Sequence, residues 1–271
     1  MIPPDGVAPP VEPVRPGEPP LAILVDYDGT IALTDVSDSV MAAHVSSLWE
    51  AEASAYDAGL IGSRRLMTTE LSMVDTPGAA LLATAAAQPH DAGFVPFVRR
   101  AQAAGVVVEV LSDGFGFFIQ PALDALGVGE LPVITARTTF RGRRASIEFP
   151  NGHPTCQVCG TCKRNRVLAQ QAAGRAVAFI GDGASDRYAA GYSDVVWAKN
   201  ALVPICLEAG WAFRRWTAFA EIDAWLAATL DAWRADPASL AAPRARPFFC
   251  GPEAWGEGRF DPPPGAWPPR A

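Results

Sequence analysis

Five short apolar runs recur along this chain, at residues 21–25, 106–111, 131–136, 176–180 and 194–198. Runs of this length without clean polar alternation read as strands buried on both faces, as in a parallel sheet. Between them lie segments with helical spacing of apolar positions, at 95–104, 117–126, 163–173, 184–191 and 221–233. Alternating strands and helices predict an α/β fold, a parallel sheet with helices on both faces. Pro121 lies inside one helical segment, which predicts a late start or a kink there. Residues 137–149 alternate about the turn Arg141-Gly142-Arg143 and predict a small hairpin. Residues 36–90 break the rhythm: they are Ala-rich and helical in pattern, with no convincing strand. They are too long for a simple crossover and predict a helical cap inserted after the first strand.

The two ends differ from this middle. Proline stands at positions 3, 4, 9, 10, 13, 16, 19 and 20, which predicts an extended or disordered leader. Residues 236–271 are again rich in Pro and Trp and read as a tail that drapes over the surface or contacts a partner. The expected organisation is a leader at 1–20, a core at 21–35 and 91–235, a cap at 36–90 and a tail at 236–271.

Composition narrows the classes. Of 271 residues, 49% are apolar and only 19% charged, enough for a substantial core and against general disorder. The net charge of -7 offers no global attraction to nucleic acid or an anionic membrane. An anionic substrate would need local compensation by a metal, a lysine or backbone N–H groups. No basic-then-apolar signal opens the chain, and no apolar run approaches the roughly 20 residues that span a bilayer. A cytoplasmic protein with no membrane and no nucleic-acid partner is the expectation. Five cysteines, three of them clustered, argue against a secreted disulfide framework.

Chemistry collects where the strands end. Asp26-Tyr27-Asp28-Gly29-Thr30 follows the first apolar run, and open α/β sheets bind ligands just outside the carboxyl ends of their strands. Asp26 and Asp28 share one side of an extended segment. Two close carboxylates need a cation or a proton, so the stretch is a metal site, an Asp nucleophile, or both. Ser112-Asp113-Gly114 ends the second run and reads either as a phosphate-binding hydroxyl with neighbouring N–H groups or as a helix-capping Ser before a turn Gly. Gly181-Asp182-Gly183-Ala184-Ser185-Asp186 ends the fourth; its two acids suit a Mg²⁺ cradle with Asp26 and Asp28, or an acidic helix cap. Lys163 opens a helix, where a cation opposes the helix dipole. It is either a solvated surface lysine or a counter-charge for the cluster.

As an ordered set, these four motifs resemble the haloacid dehalogenase superfamily, in its phosphoserine phosphatase-like branch. Ser-Asp-Gly-Phe-Gly-Phe-Phe-Ile, Cys-Gly-Thr-Cys-Lys and Asp-Val-Val-Trp-Ala-Lys-Asn-Ala-Leu look most similar to the 2-hydroxy-3-keto-5-methylthiopentenyl-1-phosphate phosphatases. Those enzymes carry Ser-Gly-Gly at the second motif, where this chain has Asp113 in place of the first Gly. The resemblance implies a Rossmann-like core and Mg²⁺-dependent hydrolysis of a small phosphate ester through an aspartyl-phosphate. It implies that Asp26 attacks phosphorus, that Asp28 shuttles the proton and lends its backbone carbonyl to the metal, and that Ser112 and Lys163 hold phosphoryl oxygens. It further implies that Asp182 ligates Mg²⁺ and that Asp186 supports it, directly or through water. A phosphotransferase or phosphomutase, and a non-catalytic phosphoryl-binding scaffold, are the alternatives.

Two further groups stand apart. His153, Cys156, Cys159 and Cys162 offer four soft ligands within ten residues, either a structural Zn²⁺ site or a set of reduced thiols. In the cap region Asp35 is a substrate-reading acid or a helix N-cap, and Gly114 is a candidate substrate contact. His44, Arg64 and Arg65 read as a solvated helix face or as contacts to a substrate anion, and Trp49 and Met67 as cap core.

Overall fold

The computed structural model describes residues 6–240 and Cys250. In chain order come β1 (Leu21–Val25), α1 (Val36–His44), α2 (Trp49–Asp57), α3 (Ser63–Ser72), α4 (Gly78–Ala86) and α5 (Phe94–Ala103). Then follow β2 (Val107–Leu111), α6 (Ile119–Ala125), β3 (Val133–Ile134), β4 (Arg137–Arg141), β5 (Arg144–Glu148) and α7 (Lys163–Ala172). The rest is β6 (Ala176–Gly181), α8 (Arg187–Tyr192), β7 (Val195–Ala198), α9 (Leu202–Glu208), β8 (Arg214–Arg215) and α10 (Phe219–Ala235).

Six strands form one parallel sheet in the order β3-β2-β1-β6-β7-β8. Every residue of β1 and β6 is buried, the signature of a strand covered on both faces. Alternate side chains divide the core. Leu21, Ile23 and Val25 pack with Phe94, Phe97, Ile119, Phe219 and Leu226 of α5, α6 and α10. Leu24, Val177 and Phe179 face the other way, against Val167, Ala189 and Leu202 of α7, α8 and α9. The order of connection reverses between β2-β1 and β6-β7, so the sheet's crevice opens beyond the carboxyl ends of β1 and β6.

Residues 36–86 hold four helices and no strand. In this insert α1 packs on α4, α2 on α3, and α3 on the β4–β5 hairpin. The hairpin is antiparallel, with Arg141 opposite Arg144. The run 131–136 yields only the two residues of β3. Pro132 has no N–H to give to a ladder, although its carbonyl accepts from Val110 N at 2.9 Å.

The described part of the leader, residues 6–20, is docked on the core. Arg166 Nη1 donates to Pro9 O at 2.7 Å, Arg175 Nη1 to Glu12 O at 2.6 Å, and Ala8 N to Asn151 Oδ1 at 2.8 Å. The expectation for the tail falls largely on 241–249 and 251–271, outside the described residues. Among the described residues no helix is long and apolar enough to cross a membrane.

Candidate active site

β1 delivers Asp26 to the crevice. Its N–H is fixed by Ile180 O at 2.9 Å, so the first motif is tied to the end of β6. The chain then turns sharply through Tyr27–Ile31, with Gly29 at φ +65°. A side chain at Gly29 would be strained at that φ, and its Cβ would lie 2.2 Å from Asp182 Oδ2. The glycine therefore permits the two acidic loops to touch.

Lys163, the first residue of α7 and 2% exposed, reaches across to both loops. Its Nζ lies 2.6 Å from Asp26 Oδ1, 2.6 Å from Asp186 Oδ1 and 3.4 Å from Ser185 Oγ. Asp186 also accepts the backbone N–H groups of Asp182 (2.9 Å) and Gly183 (3.0 Å), which folds the loop after β6 into a cradle. One oxygen each of Asp26, Asp182 and Asp186 lie within 4.8 Å of one another. Burial and the neighbouring Asp186 push the Asp26 carboxyl well above the ordinary carboxylate range, against the pull of Lys163. Although burial disfavours the Lys163 ammonium, Asp186 and Asp26 hold it above the usual lysine range. Burial and Asp186 likewise push Asp182 up to about 6.

Asp28 stands outside the three-acid group. Its Oδ1 accepts from Val36 N, at the start of α1, at 2.9 Å. Burial, then the nearby Asp35, push its carboxyl well up. Ser112 is fully buried at the end of β2, and its Oγ accepts from Gly114 N at 3.0 Å. α6 begins only at Ile119, so Ser112 is not that helix's cap. A Cβ on Gly114 would come within 2.6 Å of Asp28 Oδ2, 2.9 Å of Ser37 Oγ and 3.2 Å of Ser112 Oγ. Those three side chains therefore converge on Gly114.

Sequence reasoning passed over Asn200, whose Nδ2 donates to Asp182 Oδ2 at 3.1 Å. It sits at φ +46° just past β7. The signal was available: an Asn at the end of a parallel strand next to an acidic loop. Asp35 caps α1, accepting from Asp38 N at 2.9 Å. His44 bonds Thr84 Oγ1 at 2.7 Å inside the insert, and Arg65 pairs with Glu52 at 3.6 Å. Arg64 is half-buried: its guanidinium lies 4.8 Å over the Phe149 ring and donates to Gln157 Oε1 at 2.7 Å. Met67 is buried and Trp49 half-buried against the core.

The zinc expectation finds no support. Among the described residues, His153, Cys156, Cys159 and Cys162 do not gather within 4.8 Å. His153 Nδ1 is taken up by the backbone N–H groups of Thr155 and Cys156, each at 3.2 Å. Burial pushes the Cys159 and Cys162 thiols up, toward the protonated form that does not ligate metal.

Comparison with known proteins places this geometry. A 2-hydroxy-3-keto-5-methylthiopentenyl-1-phosphate phosphatase of Lysinibacillus sphaericus is 30% identical, over 69% of this chain and 85% of that protein. Its counterpart from Brevibacillus brevis is 26% identical, over 67% and 84%. A phosphoserine phosphatase solved as a phospho-aspartyl intermediate analogue shares the fold, with TM-score 0.60 and 17% identity, over 77% of this chain and 99% of that one. Residues 23–191 match the model of the haloacid dehalogenase-like hydrolases, and the chain belongs to that family.

Proposed function

We propose that the protein is a Mg²⁺-dependent phosphomonoesterase that cleaves a small phosphorylated metabolite through an aspartyl-phosphate on Asp26. The observation that carries this reading is the convergence of Asp26, Asp182 and Asp186, two of them bonded to the Lys163 ammonium. The relatives named as phosphatases support it.

The donor set fits a hard cation. Carboxylate oxygens are its preferred ligands, and one oxygen each of three carboxylates lie within 4.8 Å of one another here. Asp26, Asp182 and the backbone carbonyl of Asp28 would hold Mg²⁺, with Asp186 in support. When bound, the ion neutralises charge on the phosphoryl oxygens. The chain's own residues do the rest. An Asp26 carboxylate oxygen attacks phosphorus while the ester P–O bond breaks. Asp28 gives its proton to the departing oxygen, a task suited to a carboxyl held protonated by burial. Asp28 then takes a proton from water as the water oxygen attacks the aspartyl-phosphate, which releases phosphate and restores Asp26. Lys163 and the Ser112 hydroxyl position the phosphoryl oxygens throughout. The insert 36–90, as a cap, sets the substrate.

The test is hydrolysis of 4-nitrophenyl phosphate with Mg²⁺, without it, and with Asp26→Asn. Activity should require the ion, and the variant should lose at least about 10³-fold, the scale of removing a nucleophile. Equal turnover by wild type and variant ends the enzyme reading. In ¹⁸O-water the released phosphate should carry one solvent oxygen; its absence marks a phosphotransferase. A screen of phosphorylated metabolites, including phosphoserine, phosphocholine and 2-hydroxy-3-keto-5-methylthiopentenyl-1-phosphate, identifies the substrate.

A further inference from the structure

Asp113 touches three parts of the molecule that the proposed reaction needs together. It follows Ser112 at the end of β2. Its Oδ1 accepts from the backbone N–H of Thr161, two residues before Lys163, at 2.7 Å. Its Oδ2 accepts from the hydroxyl of Ser63, the first residue of α3. Ser63 is 5% exposed, and its Oγ in turn accepts from Gly160 N at 3.2 Å. The seam around this relay is tight. Arg64 N donates to Val158 O at 3.2 Å. A Cβ on Gly62 would sit 2.2 Å from Val158 O, and one on Gly160 2.8 Å from Asp113 Oδ1.

Beside the seam lies a cavity of about 230 Å³, lined by Tyr56, Ser63, Asp113, Cys159, Arg187 and Tyr188 among others. Ser185 also lines it, and Ser185 Oγ is 3.4 Å from Lys163 Nζ, so the cavity adjoins the phosphoryl end of the site.

We propose that Asp113 is a positioning residue that clamps α3 to the loop preceding Lys163 and thereby fixes the shape of the cavity that receives the leaving group. The proposal rests on the phosphatase reading. It gives a use to a carboxylate that the proposed reaction leaves without a role. Electrostatics agrees: burial pushes the Asp113 carboxyl up to about 6, while the Ser63 and Thr161 bonds and Lys163 pull it down and Asp186 raises it. The other titratable groups facing it are Tyr56, Cys159, Cys162 and Arg187. Protonation replaces a charge-assisted Ser63 bond by a weaker neutral one.

Asp113→Gly, Ser63→Ala and the double variant should each be assayed in Mg²⁺ with 4-nitrophenyl phosphate and with acetyl phosphate, whose leaving group is small. Each variant should raise KM for the aryl ester by about tenfold, the scale of one hydrogen bond to a charged group. KM for acetyl phosphate should move by less than about twofold, and the double variant should be no worse than either single one. Asp113→Asn should flatten a limb near pH 6 in the wild-type KM profile. Independently of activity, Asp113→Gly should speed amide exchange at residues 63–66 and 158–161. Unchanged exchange, additive KM effects, or equal effects on both substrates overturn the clamp. Wild-type protein that hydrolyses neither substrate overturns the phosphatase reading instead, and the exchange measurement still decides the clamp.

Discussion

Lys163 shows why single residues could not be ranked from their neighbours in sequence. A lysine opening a helix reads as solvated surface, yet here it is buried between Asp26 and Asp186. Its helix start costs little against two carboxylates at 2.6 Å. Gly114 teaches the same lesson from the opposite side. In sequence it is a turn glycine. In space an added methyl at that position would press on Asp28 Oδ2, 2.6 Å away, and on Ser37 Oγ. Asp28 is held from its other oxygen by Val36 N, so it must swing as a unit. Gly114→Ala is therefore expected to lower kcat by about 10²-fold, the cost of an ångström of misplacement, with circular dichroism unchanged. Steady-state kinetics on 4-nitrophenyl phosphate checks this; a wild-type kcat would remove Asp28 from the proton shuttle.

At the scale of elements, strands were more legible than the insert. The runs 21–25, 106–111, 176–180 and 194–198 each carry a strand because continuous apolar side chains demand cover on both faces. The run 131–136 yields a two-residue strand, because Pro132 and its place at the sheet edge limit pairing. Pro121 falls in the first turn of α6, where a missing N–H is harmless, so the helix starts late without a kink. The apolar run 194–198 and the Lys-Asn that follow gave no hint of α9, a seven-residue helix too short for a period to emerge. Within the insert, the pattern called for helices but not for their burial of acids. Glu70 of α3 is 3% exposed, and its Oε1 has no hydrogen-bond partner among the described residues. Burial, with Asp38, Asp35 and Glu52 nearby, pushes its carboxyl from 4.5 up to about 8. The folded value exceeds the unfolded one, so the fold is least penalised below 4.5 and loses stability as pH rises through about 8. Glu70→Gln should match wild type near pH 5 and exceed it at pH 9 by about 2 kcal/mol, the scale of an unsatisfied buried group. Thermal melts across that range decide it; a gain independent of pH would reject the explanation.

For the molecule as a whole, the leader is the main departure from a plain reading of composition. Eight prolines in 20 residues point to an extended or unordered segment, and its described residues are bound to the core at Ala8, Pro9 and Glu12. Arg166 and Arg175, both buried on the α7 side of the sheet, spend donors on the carbonyls of Pro9 and Glu12. Removing residues 1–15 should cost about 3 kcal/mol, or roughly 10 °C in Tm, while leaving kcat intact. A melt of the shortened protein within a degree of the full chain would mean the leader contributes no stability. Mg²⁺ works at this scale as well, because a ligand that binds only the folded state raises its stability. Millimolar Mg²⁺ should raise Tm, and Asp182→Asn should abolish the rise. By itself the sequence determined the parallel sheet, the helices that cover it, the insert, and the acids at the strand ends, because periodicity and strand-end chemistry are local properties. Only the tertiary structure decided which of those acids meet, that Lys163 lies between two of them, that Asp113 joins the insert to the loop before α7, and that His153 and the clustered cysteines do not gather within 4.8 Å. Those outcomes depend on strand order and on contacts between residues far apart in the chain, such as Asp26 and Lys163, and no window of neighbouring residues contains them.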